Sequence, residues 1–252
     1  MVVPDVYFTY TVVGLFGLAA IAYGLRVALR GAAHSERVAR IGGTALVGQG
    51  VMDYTYWAIE PIVRGLAAIG VTPNALTWSA LILGLGAGVA LGFGMFGLAS
   101  MLATFSTVGD ILDGQVARLT KTGSNRGELL DAAVARYTEF AFLAGMLVYF
   151  RESVWLMILT LAALLATFMV SYASAKAEAL QVTPPRGLMR RHERGTYLIV
   201  GVGFTAMFGS WIHDRWEALP WETPLIAGLA AVAVIGNGAA ILRFVRIGRC
   251  LP

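Results

Sequence analysis

The sequence predicts an all-α fold, a polytopic helical bundle that crosses a membrane, and three observations carry that reading. Of 252 residues, 58% are hydrophobic and only 13% charged, with a mean hydropathy of +0.71. A soluble domain carries about 25% charged residues. Apolar runs long enough to cross a bilayer recur along the chain, separated by short polar loops. The basic residues gather in alternate loops, as the positive-inside rule requires of a membrane protein.

Each element follows in order. A span needs about 20 apolar residues, and runs of that length lie near 7–29, 75–97, 98–119, 127–149, 153–176, 196–213 and 223–245. Seven spans are therefore expected. Asp5 stands before the first run and no basic cluster does, so 7–29 predicts a retained span rather than a cleaved signal peptide. Residues 53–70 differ in kind. Ile59, Ile62, Val63, Leu66 and Ile69 recur at helical spacing, while Asp53, Glu60 and Arg64 fall elsewhere, which predicts a helix lying in the membrane interface. "GVTPNALT" follows, with Pro73 suited to a helix start and Asn74 just inside it. Gly84, Gly88 and Gly92 give the second span a small-residue face for close packing.

The charges orient this bundle. Arg26, Arg30, Arg37 and Arg40 follow span one, and Arg64 lies on the interfacial helix. Arg118, Lys121 and Arg126 join spans three and four, and Lys176, Arg186, Arg190, Arg191 and Arg194 join spans five and six. With Arg243, Arg246 and Arg249 at the end, 16 of 19 basic residues fall on one side. That side is the cytoplasm, with the N-terminus outside and the C-terminus inside. The basic residues follow membrane topology, so nucleic-acid binding is not expected; anionic lipid headgroups are the natural partners of such loops. A lone Cys250 excludes an intrachain disulfide, and His34, His192 and His213 are too scattered to predict a histidine metal site.

The stretch "GDILDGQVARLTKTGSNRGELLDAAVARY", residues 109–137, breaks the apolar pattern. Asp110 and Asp113 are three apart and share a helix face, with Arg118 two turns below Asp110. Asp131 opens the next helix, and its face runs through Ala135 to Glu139. A carboxylate near a membrane costs a few kcal/mol and marks a functional site by default. Mere pairing with Arg118, Arg126 and Arg136 would need neither the fixed spacing nor the small residues between. Clustered carboxylates without His or Cys suit hard divalent cations, Mg²⁺ or Mn²⁺, and two such ions about 4 Å apart clamp a phosphoryl group. Gly114 and Ala117 remove bulk where a nucleotide would approach the helix, and Arg118 suits a diphosphate.

These residues resemble the signature of the CDP-alcohol phosphotransferases, D-x2-D-G-x2-A-R-x8-G-x3-D-x3-D. Asp110, Asp113, Gly114, Ala117, Arg118, Gly127 and Asp131 match it at every required interval. The resemblance runs from about Asp53 to the C-terminus and implies a six-span membrane domain, 51–252, and a homodimer. The first span with its linker, 1–50, is then an additional anchor. It implies two divalent cations held by Asp110, Asp113 and Asp131, and a CDP site lined by Asn74, Asp110, Gly114, Ala117, Arg118 and Gly127. The family's fourth Asp, its catalytic base, is replaced here by Ala135. A methyl group neither ligates a metal nor accepts a proton, so the chain as written is expected to be impaired. The remaining motif is intact and "RYTE" follows in the usual context, which favours an introduced substitution over a natural pseudoenzyme. Glu139, one turn on, would be a poor substitute base.

The implied reaction transfers a phosphatidyl group from a CDP-linked lipid, with CDP-diacylglycerol the expected donor, to a small polar alcohol, releasing CMP. "SYASAKAEAL" and "PPRGLMRRHERG" resemble phosphatidylinositol-phosphate-type synthases, and Arg186, Arg190, Arg191 and Arg194 would hold an acceptor phosphate. Inositol phosphate leads the acceptors, before inositol, glycerol 3-phosphate or another alcohol. The implied setting is the cell's inner or plasma membrane, with the site facing the cytoplasm. Two other classes remain open. A transporter would spread its acids across the membrane and show an inverted repeat; a non-enzymatic lipid- or nucleotide-binding protein would account for Ala135.

Overall fold

The computed structural model describes residues 5–31, 49–182 and 187–251. Arg37, Arg40 and Arg186 lie outside them. The described residues form eight helices and no strand: α1 Val6–Arg30, α2 Gln49–Ala68, α3 Pro73–Gly92, α4 Phe96–Leu119, α5 Asn125–Tyr149, α6 Val154–Ala179, α7 Arg191–Arg215 and α8 Thr223–Arg249. Every expected span is a helix. Five of them (α1, α3, α6, α7 and α8) are long and apolar enough to cross a membrane. The two that fall short, α4 and α5, are those carrying the acidic motif, whose carboxylates and guanidiniums dilute their hydropathy.

The residues group into two compact units. The first comprises Met1–Thr9, Gly84–Ala103 and Thr138–Pro252. Its core joins Ala87 and Leu91 of α3, Phe96 and Ala99 of α4, Leu143 and Met146 of α5, Val202 of α7, and Leu225 and Leu229 of α8. The glycine face of α3 makes its close contact at Gly88. A Cβ on Gly88 would run into the Ala141 carbonyl, one on Gly145 into the Gly88 carbonyl, and one on Gly92 would sit 3.5 Å from Val148. Backbone meets backbone there, which is how helices pack where lipid offers no hydrophobic contrast.

The first unit also holds the beginning of α1. The Asp5 carboxylate accepts the Gly97 and Leu98 N–H groups at 2.6 and 2.9 Å, so it caps α4 from another helix. Thr9 and Ser100 share a buried hydrogen bond of 3.1 Å one turn further in. Removing the cap by Asp5→Ala is expected to cost about 1 kcal/mol, seen as a lower thermal midpoint of the detergent-solubilised protein.

The second unit comprises Tyr10–Leu83 and Thr104–Tyr137. Here α2 lays Ile59, Val63 and Leu66 against Leu112 and Val116 of α4. The apolar stripe on α2 is narrower than its sequence pattern. Ile62 and Ile69 are exposed, since Ile59, Val63 and Leu66 form the edge that packs on Leu112 and Val116, and Asp53 is buried. An interfacial helix can leave such residues to the lipid. Within this unit the Tyr54 hydroxyl donates to the Phe16 carbonyl at 2.8 Å and Tyr23 rests on Tyr54 and Trp57, tying α1 to α2.

Candidate functional site

The acidic stretch folds around a cleft of about 720 Å³ that lies wholly in the second unit. Two helix starts border it. Thr72 Oγ1 accepts the Ala75 N–H at 3.3 Å where α3 begins, and Ser124 Oγ accepts the Gly127 N–H at 3.1 Å where α5 begins. Both are N-caps, and both helix N-termini bring partial positive charge to the cleft. Arg118 and Lys121, at the end of α4, add full positive charge. Helix N-termini with arginine and lysine make a receptor for a polyanion such as a diphosphate.

Seven sequence-predicted residues line this cleft together: Asn74, Asp113, Gly114, Ala117, Arg118, Gly127 and Asp131. The glycines have a spatial reason. A Cβ on Gly114 would lie 3.3 Å from the Arg118 guanidinium, and one on Gly127 would lie 3.3 Å from Ser124 Oγ and 3.7 Å from Asn74 Oδ1. Asp113 is 5% exposed, and Thr77 Oγ1 donates to its Oδ2 at 2.6 Å. That bond holds one carboxylate oxygen and orients the other.

Asp110 and Ala135 are not among the lining residues. Ala135 is 1% exposed, so its methyl group is packed away where the motif calls for a carboxylate. Among the described residues no three Asp, Glu, His or Cys side chains converge as a finished metal-ligand set. The donors nonetheless fit a hard divalent cation in kind. Asp113 and Asp131 line one cleft, Asp110 is one turn from Asp113 on α4, and no soft ligand competes. Sequence reasoning missed Thr77, Ser124 and Glu128, which line the same cleft. "GSNRGE" carried the signal for Ser124, since a hydroxyl residue before a helical run is a capping candidate; Thr77 lies inside α3 and only its bond to Asp113, 36 residues on, marks it.

Arg190, Arg191 and Arg194 belong to the first unit. Arg190 opens α7, with its N–H donating to Glu193 Oε2 at 3.0 Å, and Arg191 is partly buried beside it. Arg194 is buried at 1% exposure. It donates to the Met189 carbonyl at 2.6 Å, to Ser171 Oγ at 3.3 Å and to Glu139 Oε1 at 3.2 Å. Glu139 is thus engaged by a guanidinium.

A further arginine joins this cluster. Arg243 of α8, 7% exposed, donates to Ser174 Oγ at 3.0 Å and to the Leu188 carbonyl at 3.1 Å, and its Nε has no hydrogen-bond partner. In the sequence Arg243 reads as one of several basic residues ending a span, and nothing in its neighbours marks it out.

This assembly of motif, cleft and bundle defines a class. The sequence model of the CDP-alcohol phosphatidyltransferases matches residues 70–235, and the chain belongs to that family. Its relatives include the phosphatidylinositol phosphate synthase of Mycobacterium tuberculosis, 31% identical over 182 residues that cover 69% of this chain and 78% of that protein. The enzyme of the same name from Corynebacterium glutamicum is 34% identical over 156 residues, covering 59% and 70%. Two crystal structures of the Mycobacterium tuberculosis enzyme are similar in fold. The complex with manganese and citrate has a TM-score of 0.63 at 27% identity, covering 74% of this chain and 87% of that one. The structure with CDP-DAG bound has a TM-score of 0.63 at 26% identity, covering 74% and 92%. The chain is therefore a phosphotransferase-family enzyme of phospholipid synthesis, integral to a membrane.

Proposed function

We propose that the chain is built to transfer a phosphatidyl group from CDP-diacylglycerol to inositol phosphate, releasing CMP. The observation that carries this reading is the cleft, in which two helix N-termini, Arg118, Asp113 and Asp131 meet around space for a nucleotide diphosphate. The relatives' names and the CDP-DAG-bound neighbour support the donor and acceptor.

Arg118, Lys121 and the capped starts of α3 and α5 hold the diphosphate, while Gly114, Ala117 and Gly127 leave room for the nucleotide beside Asn74. The acceptor hydroxyl attacks the β-phosphorus, the bond from that phosphorus to the CMP oxygen breaks, and CMP leaves. The hydroxyl proton needs a base, and position 135 is where the family keeps it. With Ala135 the chain binds and orients its substrates but has no group there to take the proton. A divalent cation held by Asp113, Asp131 and Asp110 supplies charge neutralisation of the diphosphate when bound. The acceptor phosphate is met by Arg194 and Arg243, with Arg190, Arg191 and Arg186 nearby in sequence. Buried guanidiniums bonded mainly to carbonyls and hydroxyls favour a phosphate dianion.

The reading places the cleft at the cytoplasmic face of the cell membrane, in a homodimer. It is tested by CMP release from CDP-diacylglycerol by the Ala135 and Ala135→Asp proteins, each given inositol 1-phosphate, inositol and glycerol 3-phosphate with Mg²⁺ or Mn²⁺. Release by neither protein, in an assay where a relative is active, rejects it in favour of a non-enzymatic binding role. Thr77→Val is expected to weaken Mn²⁺ binding about tenfold, since a hydrogen-bonding neighbour that orients a metal ligand is worth roughly that much. Calorimetric titration of Mn²⁺ into both proteins measures it, and Thr77→Ser should retain the parent affinity.

A further inference from the structure

Glu139 has no place in the motif and no role in the chemistry above, yet it pairs with Arg194 of the arginine cluster. Its carboxylate and Arg194, 55 residues apart, are 17% and 2% exposed as side chains and 3.2 Å from one another. Breaking a largely buried ion pair by removing one partner is strongly destabilising. Arg194 in turn holds the Met189 carbonyl, and Met189 has a φ of +58°, a left-handed conformation that a residue with a side chain adopts at a cost. Strained backbone persists where its surroundings over-determine it. From α8, Arg243 holds the adjoining Leu188 carbonyl. Ser171 and Ser174, one turn apart on α6, receive Arg194 and Arg243 in the same order. The two guanidiniums are therefore neighbours, each fixed by one carbonyl of the strained segment and one serine of α6.

We propose that Glu139 is a positioning residue for the acceptor-phosphate site. It fixes the Arg194 guanidinium so that Arg194 and Arg243 form a preorganised pair for a phosphate dianion, which selects phosphorylated over neutral alcohols. The inference rests on the reading of this cluster as the acceptor site. Glu139 itself touches neither substrate; it acts through Arg194 and the segment Arg194 pins.

The test uses the full chain in detergent, with inorganic phosphate and inositol 1-phosphate as calorimetric probes. Glu139→Gln is expected to weaken inorganic phosphate binding about tenfold, with Glu139→Asp intermediate and CDP-diacylglycerol binding within about twofold of the parent. In the Ala135→Asp background the same change should raise the KM for inositol 1-phosphate and leave the KM for the donor. Unchanged or tighter phosphate binding by Glu139→Gln overturns the proposal, because a nearby carboxylate that merely repels phosphate would act in that direction. An equal loss of donor and phosphate binding also overturns it, pointing to a general packing role. No phosphate binding by the parent overturns it too. If phosphate binds and depends on Glu139 but Ala135→Asp releases no CMP, the enzymatic reading fails and the positioning role stands.

Discussion

Ala135→Asp is expected to raise CMP release from CDP-diacylglycerol by a factor of about 10²–10⁴, the usual contribution of a positioned general base. The helical register supports this. Position 135 lies one turn beyond Asp131 on α5, on the face that carries the motif. The same change carries a cost that a second measurement reads. Ala135 is 1% exposed, so the new carboxylate enters a buried position and raises the local negative charge beside Asp131. In EDTA the variant should therefore unfold at a lower temperature than the parent, and Mn²⁺ should restore it by more than it stabilises the parent. Gain of activity without this metal-dependent difference would place the new base outside the metal site. The opposite pattern, metal-dependent stability without CMP release, would leave position 135 a ligand only.

Gly88→Val is expected to abolish the folded state of the first unit, or to leave it only at low temperature. A Cβ at 88 collides with the Ala141 carbonyl, and across the same contact a Cβ on Gly145 would collide with the Gly88 carbonyl. Neither obstacle is a flexible side chain, so α3 and α5 would have to separate. Overpacking in a well-packed core costs about 1–3 kcal/mol, and an obstacle of rigid backbone puts this case at or above the upper end. Gly92→Ala is the control. Its Cβ would meet Val148 at an ordinary 3.5 Å, so the change should be nearly neutral. Size-exclusion profiles and thermal midpoints of the two variants in detergent decide the matter. A well-folded Gly88→Val protein would refute the close crossing.

Much of this was legible in the chain. Helical periodicity and hydropathy located the helices, since a span must satisfy its own backbone and be apolar over about 20 residues. The spacing of Asp110, Asp113 and Asp131 put them on predictable faces because 3.6 residues make a turn. The glycines of α3 announced a close contact, although not with which helix. Residues whose work depends on a distant partner stayed unread. Asp5 looked like the polar end of a span until Gly97 and Leu98 came beside it, 92 and 93 residues on. Asp53 seemed to belong to the polar side of α2 and is buried.

By itself, then, the sequence determined the class of fold, the helices, the motif and its missing acid, because each of these is a local pattern that periodicity or fixed spacing exposes. The tertiary structure alone decided which side of α2 is buried, that the cleft is walled by two capped helix starts, and that Arg194 is a buried partner of Glu139 rather than a loop charge. The reason is physical. A charged residue at the end of a membrane helix reads the same whether water solvates it or a partner on another helix does, and only the packing of α5, α6, α7 and α8 brings those partners into contact.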